Sequence, residues 1–383
     1  MAEIRKVELN FDMIDSDRMR LNVGPQHPST HGVLRLEVEL DGEIVTEVIP
    51  HIGYLHRCFE KHAENMTYPQ VIPYIDRMDY ISSMNNEWPY VMGVEKLMDI
   101  KVPEKVEYIR VIMAELNRIA NHEIAVAAFG LDAGAFTPFL YLFRDREFIL
   151  SIFEKVCGGR LLYNYFWIGG LSADIYPTFK DDVLSIIKQI RITNKEVMDL
   201  LINNKIFIDR TANIGILPAD VAINYACSGP VLRGSGVPFD LRRSEPYSIY
   251  DRFDFEVQIG RGEMGTIGDC WDRNIVRMRE MEESCKIIEQ ALAQMPTEGD
   301  VRSAIPKKIR PPKGEIYCRA ENPKGELGFY IISDGKDKPS RVKARGTSFV
   351  NLAVLPEISK GYMFADLIMI LGSIDIVLGE VDR

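Results

Sequence analysis

Gly24-Pro25-Gln26-His27-Pro28-Ser29-Thr30-His31-Gly32 runs directly into Val33-Leu34-Arg35-Leu36-Glu37-Val38-Glu39-Leu40, and the rest of this 383-residue chain can be read outward from that stretch. In its second half apolar and charged residues alternate strictly. Leu34, Leu36, Val38 and Leu40 face one way, and Arg35, Glu37 and Glu39 the other. Period two is the pattern of a strand with one buried face. Asp41-Gly42 follows, the pair favoured in a tight hairpin turn because both positions take positive φ. Glu43 to Ile49 then runs back. Two prolines and two glycines exclude a helix from the first half. His27 and His31, two of only six histidines, are therefore expected on a loop held by a rigid sheet. Polar side chains fixed in that way commonly form a binding site. The same groups can also do no more than hydrogen-bond the loop's own backbone.

Composition narrows the function classes. Lys and Arg number 46 against 56 Asp and Glu, a net charge of -10, and no basic stripe offers a footprint for nucleic acid. No apolar run approaches the roughly 18–20 residues that span a bilayer, and the N-terminus has no signal-peptide core. A soluble, cytoplasmic protein is expected, with any membrane association made through partners. Cys58, Cys157, Cys227, Cys270, Cys285 and Cys318 include no CxxC pair, so neither a zinc ribbon nor an intrinsic iron–sulfur cluster is expected. His51, His56 and His62 lack the tight spacing of a zinc site. His122-Glu123 begins like a zincin motif, but the position four residues after His122 is Val126.

The chain divides into an arm (1–20), a β region with the histidine loop (21–65), a helical core (66–295) carrying a loop-rich insertion (229–268), and a C-terminal part (296–383). That last part holds a linker, a small β region, a helix and a tail. Tyr80, Met84, Glu87 and Val91 follow helical spacing, which would place Arg77 and Tyr80 on one helix face. Pro103 opens a long helix to about Phe129, with Val106, Ile109, Arg110, Met113, Leu116, Asn117, Ala120 and Ile124 in its buried stripe. Asp132 falls in the small-residue turn Gly130–Pro138, where a carboxylate is either paired or has a raised pKa. Helices are expected over 140–157, over 179–206, from the Asp269 cap to Met295, and from about Phe364. Short strands are expected at 315–321, 326–333 and 341–345. Sheet, helical core, small sheet and helix in that order make an α+β fold.

Gly24–Gly32, Pro50–Glu60, Arg77-Met78-Asp79-Tyr80, Gly314–Gly335, Ser348–Leu352 and the Gly379–Arg383 tail together resemble the 49-kDa-type subunit of respiratory complex I, its D subunit. The resemblance extends from about residue 20 to the end of the chain. This family is similar in turn to the large subunit of nickel–iron hydrogenases, so it implies a hydrogenase-large-subunit-like fold. The cysteine pairs that hold nickel in those enzymes are absent here, and nickel needs thiolates.

The resemblance implies the quinone-binding subunit of a proton-pumping NADH-quinone oxidoreductase. Such a subunit acts as a peripheral membrane protein on the cytoplasmic side and holds no metal of its own. It implies His31 and Tyr80 as quinone ligands, Asp132 as the carboxylate paired with the histidine, and Arg57 and Arg77 near a 4Fe-4S cluster in a neighbouring subunit. Implied partners are that terminal-cluster subunit, the C subunit, the two-cluster ferredoxin-like subunit and the membrane subunit that forms the quinone channel. A hydrogenase-like metalloenzyme and a non-catalytic scaffold are the competing readings. Two positions depart from the family. Leu162 stands where a histidine is usual, and Trp167 where an arginine precedes Gly-Gly. A leucine cannot titrate and Trp167 carries no charge, so the neighbouring cluster is expected to have a low potential that varies little with pH.

Overall fold

The computed structural model describes residues 12–15 and 18–383; residues 1–11 and 16–17 of the expected arm lie outside the described residues. Strands β1 (Asp12–Asp15), β2 (Arg18–Val23), β3 (Arg35–Asp41) and β4 (Ile44–His51) form an antiparallel sheet in chain order. The sheet thus begins inside the stretch expected to be an arm. Leu34, Leu36, Val38 and Leu40 are buried as the alternation requires. On the outer face Arg20 pairs with Glu37 and Arg18 with Glu39, each at 3.1 Å across neighbouring strands.

The hairpin turn differs from expectation by one residue. Asp41 pairs with Ile44, so the loop is Gly42-Glu43, and of these two only Gly42 takes positive φ (61°). Glycine at the first central position satisfies such a turn without a second left-handed residue. A bulge at Thr46 brings Val45 and Val48 to the same buried face, although they are an odd number of residues apart.

Helices α1 (Phe59–Ala63), α2 (Tyr68–Ile75), α3 (Ser83–Leu97), α4 (Glu104–Asp132) and α5 (Phe136–Cys157) follow. A minimal hairpin, β5 (Phe166–Trp167) and β6 (Gly170–Leu171), leads to α6 (Phe179–Val197). The expected continuous helix over 179–206 is interrupted by a π turn at Met198–Ile202. The Asn204 side chain then accepts from Ile206 N at 2.9 Å and starts α7 (Lys205–Thr211) afresh. The short helices α8 (Ala219–Asn224), α9 (Pro230–Gly234) and α10 (Leu241–Ser244) precede α11 (Cys270–Gln294). Asp269 caps α11 as expected, accepting from Asp272 N at 2.8 Å.

The central helix α4 is buried far beyond its apolar stripe. Arg110, Glu115, Arg118 and His122 expose nothing. Each is paired: Arg110 with Glu95 at 2.7 Å, Glu115 with Arg242 at 3.0 Å and with Arg118 at 3.2 Å, and His122 with Glu280 at 3.0 Å. Of these only Arg110 belongs to the expected stripe; the counter-charges come from α3 (Glu95), α10 (Arg242), α11 (Glu280) and, for Arg118, α4 itself.

The C-terminal part is an antiparallel meander, β7 (Gly314–Asn322), β8 (Gly325–Ser333) and β9 (Arg341–Arg345), followed by four helices. These are α12 (Thr347–Leu352), α13 (Leu355–Ser359), α14 (Phe364–Ile374) and α15 (Leu378–Asp382). One apolar core joins the four-stranded sheet to the helices, and a second joins α2 and α3 to the meander through Tyr68, Ile75, Tyr90, Phe329 and Val342. The tail returns to the N-terminal region: Gly53 N and Leu55 N donate to the Asp382 carboxylate at 2.8 and 2.6 Å.

Candidate functional site

The two loop histidines have different roles. His27 caps a 3-10 turn at Pro28–Thr30, its Nδ1 accepting from Ser29 N at 3.2 Å, and remains exposed. His31 ends that turn in the left-handed region (φ 54°) and turns inward. Gly24 lets the loop close on β3: at φ 82°, a Cβ there would stand 2.1 Å from Leu34 O.

His31 Nε2 lies 3.0 Å from Asp132 Oδ2. Asp132 is not in a turn but is the last residue of α4. A carboxylate at the negative end of a helix dipole needs a cation or a donor, and His31 supplies one. A carboxylate that only accepts takes an Nε2–H, and Nδ1 can donate to a ligand when the ring carries its second proton there, as an imidazolium. Gly372 of α14 seats against the pair. A Cβ there would stand 2.9 Å from Asp132 Oδ2 and 3.3 Å from His31 Nε2.

Tyr80 and Arg77 do not share a helix face. Residues 76–82 form a connection between α2 and α3. In it the Asp79 carboxylate accepts from Ser82 Oγ at 2.5 Å and from Ile81 N at 3.3 Å, while Asn86 Nδ2 donates to Asp79 O at 2.8 Å. This connection sends Arg77 to the surface and Tyr80 inward. Tyr80 and His31 line one cavity of about 100 Å³, with Ile81, Ile124, Ala125, Ala128, Gly372, Asp375, Ile376 and Val377. Such a space accepts a small planar head group rather than a whole drug-sized molecule. Burial and then the Asp79 charge raise the Tyr80 pKa, against Lys324, so the hydroxyl stays protonated and can donate.

Lys324 reads from sequence only as part of a turn. Its Nζ lies 3.1 Å from Asp79 Oδ2 and 3.6 Å from Asp375 Oδ2, and it donates to Asn121 Oδ1. Burial disfavours its charge, but Asp375, Asp79 and Glu380 more than compensate, and it is held as a cation. A lysine in a hairpin turn gives no local sign of burial; only the packing of β7–β8 beneath the cavity places it there.

Arg57 and Arg77 stand apart from the cavity, on a rim. Arg57 Nη2 donates to Arg77 O at 2.7 Å, and burial, then Arg77, lowers the Arg57 pKa. Trp167 is not without charge nearby, as its replacement of an arginine suggested: the Arg302 guanidinium stacks over its ring at 4.6 Å. Two of the larger clefts are open grooves. One, of about 310 Å³, lies among His56, Cys58, Lys61, Arg341 and Lys343, and the other, of about 520 Å³, runs between α5 and α6. Among the described residues, no group of three or more His, Cys, Asp or Glu side chains is arranged to hold a metal ion.

The model of the respiratory-chain NADH dehydrogenase 49 Kd subunit family matches residues 132–312 and 302–383. The chain is 57% identical over 382 residues to the NADH-quinone oxidoreductase D subunit of Chlorobaculum tepidum, covering 99% of this chain and 95% of that protein. It is 58% identical to the same subunit of Chlorobaculum parvum, again over 99% and 95% of the two chains. For the same subunit of Pelodictyon phaeoclathratiforme the identity is 58%, over 96% and 93%. The expected α+β order and the motifs quoted above agree with these matches. The chain belongs to the family of the 49 Kd subunit of respiratory-chain NADH dehydrogenase, the D subunit of NADH-quinone oxidoreductase, and is a subunit of that oxidoreductase complex.

Proposed function

We propose that this chain supplies the quinone-reducing site of its complex. The observation that carries the reading is the convergence of two hydrogen-bonding groups, from separate elements, on one head-group-sized cavity. Reduction of a quinone to a quinol consumes two electrons and two protons. The electrons come from a 4Fe-4S cluster of a neighbouring subunit that docks against the Arg57 and Arg77 rim. Tyr80 donates its hydroxyl proton to one carbonyl oxygen. His31, as an imidazolium oriented by Asp132 through Nε2–H, donates Nδ1–H to the other and protonates it. Ile81, Ile124, Ile376 and Val377 exclude water around the ring, which strengthens both hydrogen bonds.

The C subunit, the two-cluster ferredoxin-like subunit and a membrane subunit with the quinone channel complete the assembly. No helix of the described residues is long and apolar enough to cross a membrane, so these partners hold the chain at the bilayer's cytoplasmic face. The scaffold reading leaves the convergence on the cavity without a purpose, and the hydrogenase-like reading lacks paired thiolates.

The test is steady-state quinone reduction by the assembled complex. Tyr80→Phe removes one hydroxyl and little volume, and His31→Ala removes the imidazole. Each is expected to raise the apparent Michaelis constant for quinone while the complex still assembles. For Tyr80→Phe, a lost hydrogen bond of about 0.5–1.5 kcal/mol corresponds to roughly 2- to 12-fold. Unchanged kinetics in both variants would remove these residues from the site. Stoichiometric nickel in the purified complex would sink the quinone reading.

A further inference from the structure

The end of α4 that carries Asp132 is held by side chains that do not line the cavity. Asp132 is the last residue of α4, and the last four carbonyls of a helix lack partners within it. Gly134 takes positive φ (87°) and closes the end: its N donates to Leu131 O at 2.9 Å, and Ala135 N donates to Gly130 O at 2.8 Å. That closure fixes the backbone of the last turn but not where the turn lies in the molecule. Its placement comes from the side, from the π turn Met198–Ile202 and from α7.

In the π turn Asn203 N donates to Met198 O at 2.9 Å, five residues back rather than four. The wider turn carries the adjacent Leu201 and Ile202, both buried. Leu201 packs closely on Gly130, where a Cβ would lie 3.1 Å from Leu201 Cδ2. Phe207 of α7, also buried, meets Phe129 edge-on with ring centroids 5.5 Å apart. This unit is itself anchored. Trp271 Nε1 of α11 donates to Ile202 O at 3.0 Å, and Arg210 of α7 pairs with Asp366 of α14 at 3.0 Å. α14 carries Gly372, where a Cβ would stand 2.9 Å from both Phe129 and Asp132. The π turn and α7 therefore tie together the two helices that meet at the Asp132 carboxylate. Leu201, Phe207 and Trp271 line no part of the cavity.

We propose that the π turn and Phe207 are positioning elements of the quinone site: they set where the last turn of α4 lies and so hold Asp132 within hydrogen-bond reach of His31. The inference rests on the proposed role of the His31–Asp132 pair. Each residue of an α-helix turns the chain by about 100°. The extra residue of the π turn therefore decides which side chains face Gly130 and Phe129. The tolerance is small. Asp132 Oδ2 lies 3.0 Å from His31 Nε2, and N–H···O bonds reach only to about 3.2 Å. A misplacement of about 1 Å, caused far from the chemistry, can cost about 100-fold in rate.

The test is a double-mutant cycle on the assembled complex. It is read as kcat/KM for quinone, normalised to electron flow from NADH to an artificial acceptor. Phe207→Leu removes the ring that meets Phe129 and keeps an apolar side chain. Gly130→Ala adds one methyl group that pushes the last turn of α4 away from Leu201; because alanine favours the helix, this variant keeps the fold. Each change is expected to lower kcat/KM at least about twofold in the native background. In an Asp132→Ala background, with no carboxylate left to place, each is expected to have no further effect. A merely structural role would lower the amount of active complex, which the normalisation removes, or would act equally in both backgrounds. Unchanged kcat/KM in both variants, or equal losses with and without Asp132, overturns the positioning role while the site reading stands. If Asp132→Ala itself leaves quinone kinetics unchanged, the reading of the site fails and the positioning role with it.

Discussion

Gly372→Ala adds one methyl group and removes nothing, so it isolates the role of the His31–Asp132 pair. In a helix interior the change by itself favours folding by about 1 kcal/mol. Here the new Cβ would lie 2.9 Å from Asp132 Oδ2, 2.9 Å from Phe129 Cδ2 and 3.3 Å from His31 Nε2. Crowding of that kind costs about 1–3 kcal/mol, so the net loss of fold stability stays at roughly 2 kcal/mol or less. Phe129 cannot give way readily, because it is buried edge-on against Phe207 with ring centroids 5.5 Å apart. The Asp132 carboxylate moves instead, and its 3.0 Å bond to His31 is lost. A hydrogen bond to a charged group contributes about 1.5–3 kcal/mol. At about 1.4 kcal/mol per factor of ten, quinone turnover at limiting substrate should fall about 10- to 150-fold. The assay is kcat/KM for quinone on the assembled complex, with electron flow from NADH to an artificial acceptor as the control for upstream subunits. Full quinone activity in a variant that passes this control would refute the idea that the pair orients His31.

Three further outcomes follow from the same geometry. Lys324→Met leaves Asp79 and Asp375 facing each other without their cation, and breaking a buried pair costs about 3–5 kcal/mol; an unchanged thermal midpoint would show that Lys324 is not held as described. Burial lowers the His122 pKa to about 4, against Glu280, so the folded state keeps His122 neutral. Stability from this group is full above the unfolded value near 6.5 and is lost as pH falls towards about 4, on the order of 3 kcal/mol in all. Glu280 adds to the acid sensitivity: burial would raise its pKa, but Arg233 and His122 hold it at about 2, so its contribution is present above 4.5 and lost below. Urea unfolding at neutral pH and at about pH 4.5 measures the His122 loss, and a further point at about pH 3 the Glu280 loss; a flat profile between neutral pH and about 4.5 would contradict the burial of His122 with a neutral ring.

Much of the fold was legible in local pattern. The alternation from Leu34 to Leu40, the Asp269 cap and the strand at 341–345 all stand where the sequence put them. Such signals are local: a strand needs only period two, and a cap needs only one side chain beside its own helix. The turn at Gly42-Glu43 and the break at Met198–Ile202 escaped for the same reason, since each was settled by pairing or packing beyond the local window.

The site was legible only in part. His31, Tyr80 and Asp132 came from a resemblance, and the spacing of the residues left open whether the histidines served more than their own loop. The meeting of His31 with Asp132, 101 residues away, belongs to the tertiary structure. So do Lys324 under the cavity, Gly372 against the pair and Arg302 over Trp167. In the sequence Lys324 falls between two short strands, Gly372 in the last expected helix and Arg302 in the linker. Whether a charge is solvated or paired depends on which distant groups fold against it, and local sequence carries no record of that.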